Sequence, residues 1–501
     1  MRCPIVLRNS KFSSKAFGAE ARPFDEIPGP RGFPFLGTLL DYLPIIGKYD
    51  PKKLREMGAA KYAEYGPVVR EEIKPGEPIV YVYRPEDIAE VYKADGGWHP
   101  ERRSHLALLK YREDRRGVYN TGGLLPTNGP DWWRLRKEFQ KALSKPQLVK
   151  YLPDADGATA KFARLCELNE FQDLTPLLSR LFLRNICSVA FDLEIDVYSE
   201  EEMRPGSLSS KLIDAAFDSN NVIYDLDNGP KIWRYFDTPK YRRFCEAQSC
   251  MEKVAVQMVS EKIGKLRHTG GDAASRGKES LLDTYLQNPA LDHKDVIGMA
   301  CDMLLAGIDT TTYASAFALY HLSNNPRVQE KLHVEASKLI ANENDAITED
   351  TLREAYYTKA VIKETFRINP ISLGVGRILH TDVVLNGYHV PKGTYVVTHN
   401  EISCRSSEYF DNPNSFIPER WHRDADGSKK QDSIHPYLVV PFGHGSRSCI
   451  ARRLAEQSMQ TLLLRMCRNL KFHWEGGDLD IISTPINKPN VPMKLKFCSR
   501  T

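Results

Sequence analysis

One cysteine near the C-terminus, Cys449, lies in a segment whose residue types suit metal ligation. The segment reads FGHGSRSCIARRLAE and runs from Phe442 to Glu456. Its glycines Gly443 and Gly445 permit backbone conformations that are closed to other residues, so the loop can lie flat against a planar cofactor. A cysteine in such a loop is a candidate axial ligand for the iron of that cofactor.

The position of Cys449 relative to the following helix favours a thiolate. From Ile450 onward, apolar residues recur at helical spacing, which predicts a helix whose N-terminus lies close to the cysteine. A thiolate held there can ligate haem iron. Arg447, two residues earlier, is placed to pair with a carboxylate on the cofactor. The alternative is a structural cysteine buried in a turn.

A second segment predicts a long helix in the middle of the chain. No proline occurs from His293 to Leu322, and the stretch is flanked by Asp292 and by Asn325-Pro326. This pattern predicts a helix of roughly 30 residues, about 45 Å long. Three aspartates interrupt it, so it is too polar to span a membrane.

The centre of this helix carries a glycine beside an acid and an alcohol. Gly307 costs roughly 0.5–1 kcal/mol relative to alanine, so we expect a compensating role, such as the close approach of a flat ligand. Thr310 shares the face of Gly307, and Asp309 is turned away from it by about 100°. The Thr310 hydroxyl alternatively bonds back to the Ala306 carbonyl. The two interpretations are compatible.

A third segment predicts an ion pair on one helix face, because Glu364 and Arg367 are three residues apart in a helix that ends before Pro370. An exposed pair of this kind contributes only a few tenths of a kcal/mol. In a buried pair, removal of one partner typically costs about 3–5 kcal/mol. The pair precedes Pro418-Glu419-Arg420-Trp421 by about fifty residues, and the cysteine loop follows.

Together these three segments resemble the cytochrome P-450 family of haem-thiolate monooxygenases. The resemblance covers nearly the whole chain, from the proline-rich stretch Ile27–Gly32 to the C-terminal segments. It implies a mainly α fold with small β-sheets, in which haem b is buried between the long central helix and the cysteine loop. Residues 25–501 would then form one monooxygenase domain.

The resemblance also implies roles for individual residues. Cys449 would be the proximal haem ligand, while Asp309 and Thr310 would deliver protons to bound dioxygen. The residues expected to bind the haem propionates are Trp132, Arg136, Arg377 and Arg447. The residues expected to form a structural salt-bridge network are Glu364, Arg367 and Arg420. One departure from the family pattern is Ala451, where glycine is usual, and we expect tighter packing under the haem without its loss.

The first 24 residues have the composition of a mitochondrial transit segment. They hold five basic residues, three serines and a single acid, Glu20. The alternative is a disordered basic tail. Elsewhere, a net charge of only +4 argues against nucleic-acid binding. The ten cysteines include no C-x-x-C pair, which indicates neither a zinc site nor a disulfide framework.

Mitochondrial members of the resembled family receive electrons from a small acidic ferredoxin. Lys359 and Lys363 share a face of the helix that holds Glu364, and the resemblance places ferredoxin-binding lysines there. Arg452 and Arg453 would extend the same basic patch. The alternative is an ordinary solvated surface.

Three segments, Ile27–Tyr49, Arg102–Arg112 and Gly123–Arg136, resemble the arthropod mitochondrial members that hydroxylate ecdysteroids. This similarity implies a sterol substrate hydroxylated at carbon 22 during the synthesis of moulting hormone. A mitochondrial detoxifying monooxygenase of broad specificity is one alternative. A haem-thiolate sensor or isomerase that does not activate oxygen is another. The acid–alcohol pair argues against it, because such a protein has no need of a proton relay.

Two further expectations concern membrane and substrate. Residues Gly229 to Phe244 mix aromatic and basic side chains, so they either lie in a membrane interface or begin an ordinary helix with a basic face. The expected location of the protein is mitochondrial, in peripheral contact with the inner membrane. By analogy, the stretches that supply substrate contacts are Val118–Leu125, Met303–Thr310, Ile371–Val375 and Ile482–Ile486.

Overall fold

The structure is a computed structural model that describes residues 21–43, 45, 47–229, 231–268, 280–422, 434–483 and 486–500. Residues 1–20, most of the predicted transit segment, lie outside the described residues. At the start of the described part, the Arg22 backbone already pairs with residues near Tyr388, and its guanidinium lies 3.6 Å from the centre of that ring.

The fold is mainly helical with small sheets, as the sequence predicts. In chain order the α-helices of the described ranges are α1 Leu54–Tyr65, α2 Pro85–Lys93, α3 Leu106–Glu113, α4 Gly129–Ala142, α5 Lys145–Val149, α6 Leu152–Leu168, α7 Thr175–Phe191, α8 Glu200–Met203, α9 Leu208–Asn228, α10 Pro239–His268, α11 Leu281–Leu286, α12 His293–Asn324, α13 Pro326–Leu339, α14 Glu349–Glu354, α15 Tyr356–Ile368, α16 Asn400–Cys404 and α17 Arg452–Asn469. Short 3₁₀ turns occur at Phe24–Glu26, Leu39–Tyr42, Lys231–Arg234 and Pro418–Trp421.

The strands are short and form small sheets. They are β1 Val68–Glu71, β2 Ile79–Val82, β3 Val375–Ile378, β4 Val383–Leu385, β5 Tyr388–Val390, β6 Tyr395–Thr398, β7 Leu470–Trp474, β8 Ile481–Ser483, β9 Asn487–Pro489 and β10 Leu495–Ser499. The largest sheet has the order β1-β2-β6-β3, in which only β2 and β6 run parallel. Within the described ranges, the remaining strands form three antiparallel pairs: β4 with β5, β7 with β10, and β8 with β9.

Helix α12 is the axis of the molecule, and its ends match the sequence prediction closely. Asp292 caps its N-terminus by accepting from the Lys294 N–H at 2.8 Å, in a capping box completed by Asp295. The helix stops before Pro326, which has no N–H to continue it. Its 32 residues make it about 48 Å long. Most of its side chains are buried, so it runs through the core and not along its surface.

Two hydrophobic clusters meet along α12. The first half of the helix, including Leu304 and Ile308, packs into a cluster with α3, α4, α7, α9 and α10. The second half, including Phe317 and Leu322, packs into a cluster with α6, α13, α15 and α17. The residues around Thr310 lie where the clusters meet, and there the helix faces a cavity.

Candidate active site

A cavity of about 380 Å³ lies between the middle of α12 and the cysteine loop. This volume is typical of small-molecule sites. Its wall on α12 includes Met303, Gly307 and Thr310, and the loop contributes Phe442 and Cys449. The wall is mostly apolar. The arrangement therefore brings a thiol and an alcohol to one enclosed, water-poor space.

The cysteine loop is closed on itself by backbone hydrogen bonds. The Cys449 N–H donates to the Phe442 carbonyl at 2.8 Å. Between them, Gly443 and Gly445 have φ values of 68° and 75°, a left-handed region that side chains rarely adopt. The two glycines thus allow the loop to turn tightly and present the cysteine to the cavity.

The Cys449 side chain is exposed only in the sense that it faces the cavity, because the surrounding protein encloses it. This burial raises the pKa of the thiol, although the Ala451 N–H and the charges of Arg136 and Arg452 oppose the shift. Helix α17 begins at Arg452, three residues beyond the cysteine. A metal ion bound at the sulfur would favour the thiolate.

Three arginines line the cavity without a carboxylate partner among the described residues: Arg102, Arg136 and Arg447. Burial lowers the pKa of the first two to about 10 and that of Arg447 to about 8. Arg447 donates to the Pro100 carbonyl at 2.7 Å, while its Nε has no partner in the described part of the chain. Buried guanidinium groups without counter-charges form a site for an anionic ligand.

Trp132 holds this arginine cluster in place. Its ring is 1% exposed and lies 4.6 Å from the Arg447 guanidinium. Arg136, one helical turn further along α4, donates to the Gln140 side chain at 3.0 Å. Arg377 lies next to this cluster, because its charge contributes to lowering the pKa of Arg102 and of Arg447, but it does not line the cavity. Its Nε is 3.1 Å from an Asp95 carboxylate oxygen. The role of Arg377 in ligand binding stays a prediction. The sequence analysis did not identify Arg102 as a residue of the cavity.

The acid and the alcohol of α12 face different surroundings. Thr310 lines the cavity, and its Oγ1 donates to the Ala306 carbonyl at 2.6 Å. Asp309 is 1% exposed and does not line the cavity. Burial raises the pKa of its carboxyl to about 7, even though a hydrogen bond from Asn220 lowers it. At neutral pH this carboxyl therefore exists in both protonation states, which suits general acid–base chemistry.

The structure shows why glycine occupies position 307, which the sequence alone does not reveal. A Cβ at this position would lie 2.6 Å from Cδ1 of Ile186 on α7, so the glycine allows the two helices to approach closely. It also lines the cavity, as expected for close approach of a ligand. A side chain here would have to displace Ile186 and would also narrow the cavity.

Behind the cysteine loop, Glu364 and Arg367 form a fully buried ion pair on α15. Their side chains are joined by two bonds, Nη2 to Oε1 at 2.8 Å and Nε to Oε2 at 2.9 Å. The Arg420 guanidinium lies 3.3 Å from Glu364, and Trp421 Nε1 donates to it at 2.9 Å. The pair thus ties α15 to the segment that leads to the cysteine loop.

The sequence matches the family described as Cytochrome P450 over residues 27–497. It is 46% identical to "Cytochrome P450 302a1, mitochondrial" of Drosophila melanogaster over 483 residues, which cover 94% of this chain and 95% of the relative. The chain belongs to the cytochrome P450 family. Identity is 30% to "Probable cytochrome P450 301a1, mitochondrial" of the same species, covering 95% and 87% of the two chains. It is also 30% to "Cytochrome P450 12b1, mitochondrial" of Drosophila acanthoptera, covering 91% and 86%.

Cytochromes P450 are haem-thiolate monooxygenases, and the residues of this site fit haem b. Cys449 faces the cavity from a loop that carries no bulky side chain at its two left-handed positions. The unpaired arginines suit the two propionate carboxylates of the cofactor. Ala451 lines the cavity with a φ of −93°, which alanine adopts freely, so replacing the usual glycine causes no strain.

The predicted partner-binding residues lie on α15 and at the start of α17. Lys363 and Arg453 are exposed, and Lys359 is half-buried. The charge of Arg452 contributes to lowering the pKa of Lys363, after burial, which shows that the two lie close together. Arg452 pairs with Glu456 at 2.9 Å, whereas the described residues provide no ion-pair partner for Lys359 or Lys363.

The stretches predicted to contact substrate each supply lining residues. They include Leu124, Met303, Ile371, Val375 and Ile486. Sequence reasoning missed the contribution of α7, which has only an ordinary buried-helix pattern. Within the described ranges, no helix combines the length and apolar content that crossing a membrane requires.

Proposed function

We propose that this P450 hydroxylates a sterol, at carbon 22 of an ecdysteroid precursor in moulting-hormone biosynthesis. The observation that carries the proposal is the apolar lining that the predicted substrate stretches give to the cavity, including Met303, Ile371 and Ile486. An apolar, rigid substrate fits such a wall. The carbon position rests on the similarity of the three segments, above all Ile27–Tyr49, to ecdysteroid hydroxylases.

The residues of the chain then divide the work of the reaction. Haem held by Cys449 would supply the chemistry that activates dioxygen. Arg136 and Arg447 would orient the cofactor through its carboxylates, with Arg102 beside them. The apolar side chains around Met303 exclude water and hold the substrate carbon over the reacting centre.

Thr310 and Asp309 form the proposed proton relay. Thr310 reaches the cavity, and the Asp309 carboxyl exchanges protons near neutral pH. We expect Thr310→Ala to bind substrate normally but to divert reducing equivalents to hydrogen peroxide. General acid–base catalysis typically contributes about 10²-fold or more, so product formation is expected to fall by about that factor. Peroxide and product measured per electron consumed check this result, and wild-type coupling would remove Thr310 from the relay.

The test of the function is product analysis in a reconstituted system. The purified enzyme, a mitochondrial ferredoxin and its reductase are supplied with an ecdysteroid precursor that lacks the 22-hydroxyl group. Formation of the 22-hydroxylated product supports the proposal. Oxidation of many unrelated apolar compounds at similar rates would favour a detoxifying enzyme. Rearrangement without dioxygen consumption would identify an isomerase.

The basic patch supports a mitochondrial ferredoxin as the electron donor. Lys359, Lys363 and Arg452 bring positive charge together beside the cysteine loop, where α15 Phe366 packs 5.3 Å from Phe442 between ring centres. The Glu456 carboxylate pairs with Arg452 and its charge also acts on both lysines, so it compensates part of this charge, and an anionic partner surface would compensate the rest. An acidic ferredoxin docked there would lie close to the proximal side of the cofactor.

Reversing both lysines, Lys359→Glu with Lys363→Glu, is expected to weaken ferredoxin binding at least about tenfold at low salt. The loss should shrink as salt rises, because the Debye length falls from about 30 Å at 0.01 M to about 3 Å at 1 M. Binding is measured by titration at both salt concentrations. The matched control is Lys471→Glu with Lys496→Glu, which changes net charge equally on the exposed β7–β10 pair. Equal affinity of both double variants would exclude this docking site.

The relatives named above carry the word mitochondrial in their names, and we place this enzyme in the same organelle. Peripheral contact with the inner membrane is supported by exposed apolar side chains in two neighbouring segments. Phe35 is 96% exposed, and Tyr235 and Phe236 are 83% and 71% exposed. The segments that hold Phe35 and Tyr235 are close to each other. The charges of Glu77 and Lys74 shift the pKa of Lys231, and Pro75, next to Lys74, lines the same pocket as Phe35. Together they offer an amphipathic surface to a membrane interface.

A further inference from the structure

The side of Asp309 that faces away from the cavity is held by α9. Asn220 Nδ2 donates to Asp309 Oδ2 at 2.8 Å. The other carboxyl oxygen, Oδ1, is buried and has no partner among the described atoms. One oxygen is thus fixed and the other is left available. Burying a carboxyl oxygen without a hydrogen bond is energetically unfavourable unless a proton or a water molecule occupies it.

Asn220 bonds to the backbone of α12 as well as to the Asp309 carboxyl. The same Nδ2 also donates to the Leu305 carbonyl at 2.8 Å, four residues before Asp309 on α12. Because an amide NH₂ group has two hydrogens, one side chain satisfies both acceptors. The rotamer of Asp309 is therefore set from α9 and not from α12 alone.

Strand β9 supplies the charge that acts on Asp309. Lys488 lies partly exposed on β9, donates from Nζ to Asn221 Oδ1 at 2.8 Å, and its charge lowers the pKa of Asp309. Asn220 on α9 is uncharged. On α12 itself, burial and the Asp309 charge raise the pKa of Tyr313, so it stays neutral near pH 7. The charged side chain that acts on Asp309 thus comes from β9, where Asn221 of α9 accepts a hydrogen bond from it.

We propose that Asn220 is a positioning residue for proton delivery, holding Asp309 with its free oxygen available. The inference rests on the proposed relay. In each delivery the Asp309 O–H bond breaks as the proton leaves toward Thr310, and the bond forms again when a proton from solvent replaces it.

The test replaces the amide by an apolar group of similar size, Asn220→Leu, in the full haem-loaded enzyme. With ferredoxin, reductase and an ecdysteroid precursor lacking the 22-hydroxyl group, we expect the fraction of electrons recovered in product to fall about tenfold, less than for loss of the acid itself. The pH at which coupling changes is expected to move upward, because the hydrogen bond that lowers the Asp309 pKa is gone. Infrared difference spectra of the protonated carboxyl, referenced to Asp309→Asn, measure that pKa independently of turnover.

An exposed asparagine at the far end of α9 provides the matched control. Asn228 donates to the Tyr224 carbonyl, so Asn228→Leu makes the same change away from Asp309 and should leave the Asp309 infrared titration unchanged. Asn220→Ser gives a second variant should Asn220→Leu lose the carbon monoxide band of thiolate haem. The decisive comparison uses the Asn220 variant that retains this band. If its pH profile and infrared titration are unchanged while Asp309→Asn is uncoupled, the positioning role of Asn220 is overturned and the proton relay stands. Normal coupling in Asp309→Asn would overturn the relay, and the inference with it.

Discussion

Cys449→His is expected to abolish the carbon monoxide difference band that is characteristic of thiolate-ligated haem, together with all monooxygenase activity. The thiol faces the cavity from the closed loop, and the imidazole that replaces it cannot donate a thiolate to iron. We expect the variant to retain haem, because Trp132, Arg136 and Arg447 still bind the cofactor edge. The spectrum of the reduced, carbon monoxide-bound protein checks the result.

The control for this variant is another cysteine. Cys498 is exposed on β10 and does not line the cavity, so Cys498→Ala should leave both the spectrum and the activity unchanged. A thiolate band that survives in Cys449→His would show that a different residue ligates the iron, and the assignment of the whole site would then be wrong.

Local patterns were sufficient to predict the parts of the site that lie on single segments. The glycine-rich cysteine loop and the bounds of α12 follow from residues near them in sequence, because caps, prolines and glycines act over a few positions. The Glu364 and Arg367 pair likewise follows from helical spacing. Whether that pair is buried could not be predicted, since burial depends on Arg420 and Trp421, which lie over fifty residues away.

Contacts between distant segments account for what the sequence did not predict. Arg102 lies in a loop with no periodic pattern, and only the fold brings it to the cavity. Arg377 looks like the other cavity arginines in sequence, but Asp95, 282 residues away, already pairs with it. The Asn220 contact with Asp309 joins α9 to α12 in the same way. Spacing along the chain carries no information on such pairs, so their discovery requires the structure.

Glu364→Ala is expected to prevent the accumulation of folded, haem-loaded enzyme. Without the carboxylate, Arg367 is left fully buried with only the carbonyls of Cys404, Pro413 and Ser415 as acceptors. Removing one partner of a buried ion pair typically costs about 3–5 kcal/mol. That is a large share of the ~5–15 kcal/mol by which a domain is stable. The yield of soluble protein and its ratio of haem to polypeptide measure the loss.

A glutamate with the same spacing on the surface shows whether burial is the cause. Glu90 pairs with Lys93 three residues later on α2, but both side chains are largely exposed, so Glu90→Ala should cost at most about 1 kcal/mol. Glu364→Gln keeps the shape and the acceptor oxygen while removing the charge, and we expect it to fall between the two. If Glu364→Ala incorporates haem as well as Glu90→Ala does, the buried pair contributes little, and the cysteine loop must be held by other contacts, such as Phe366 against Phe442.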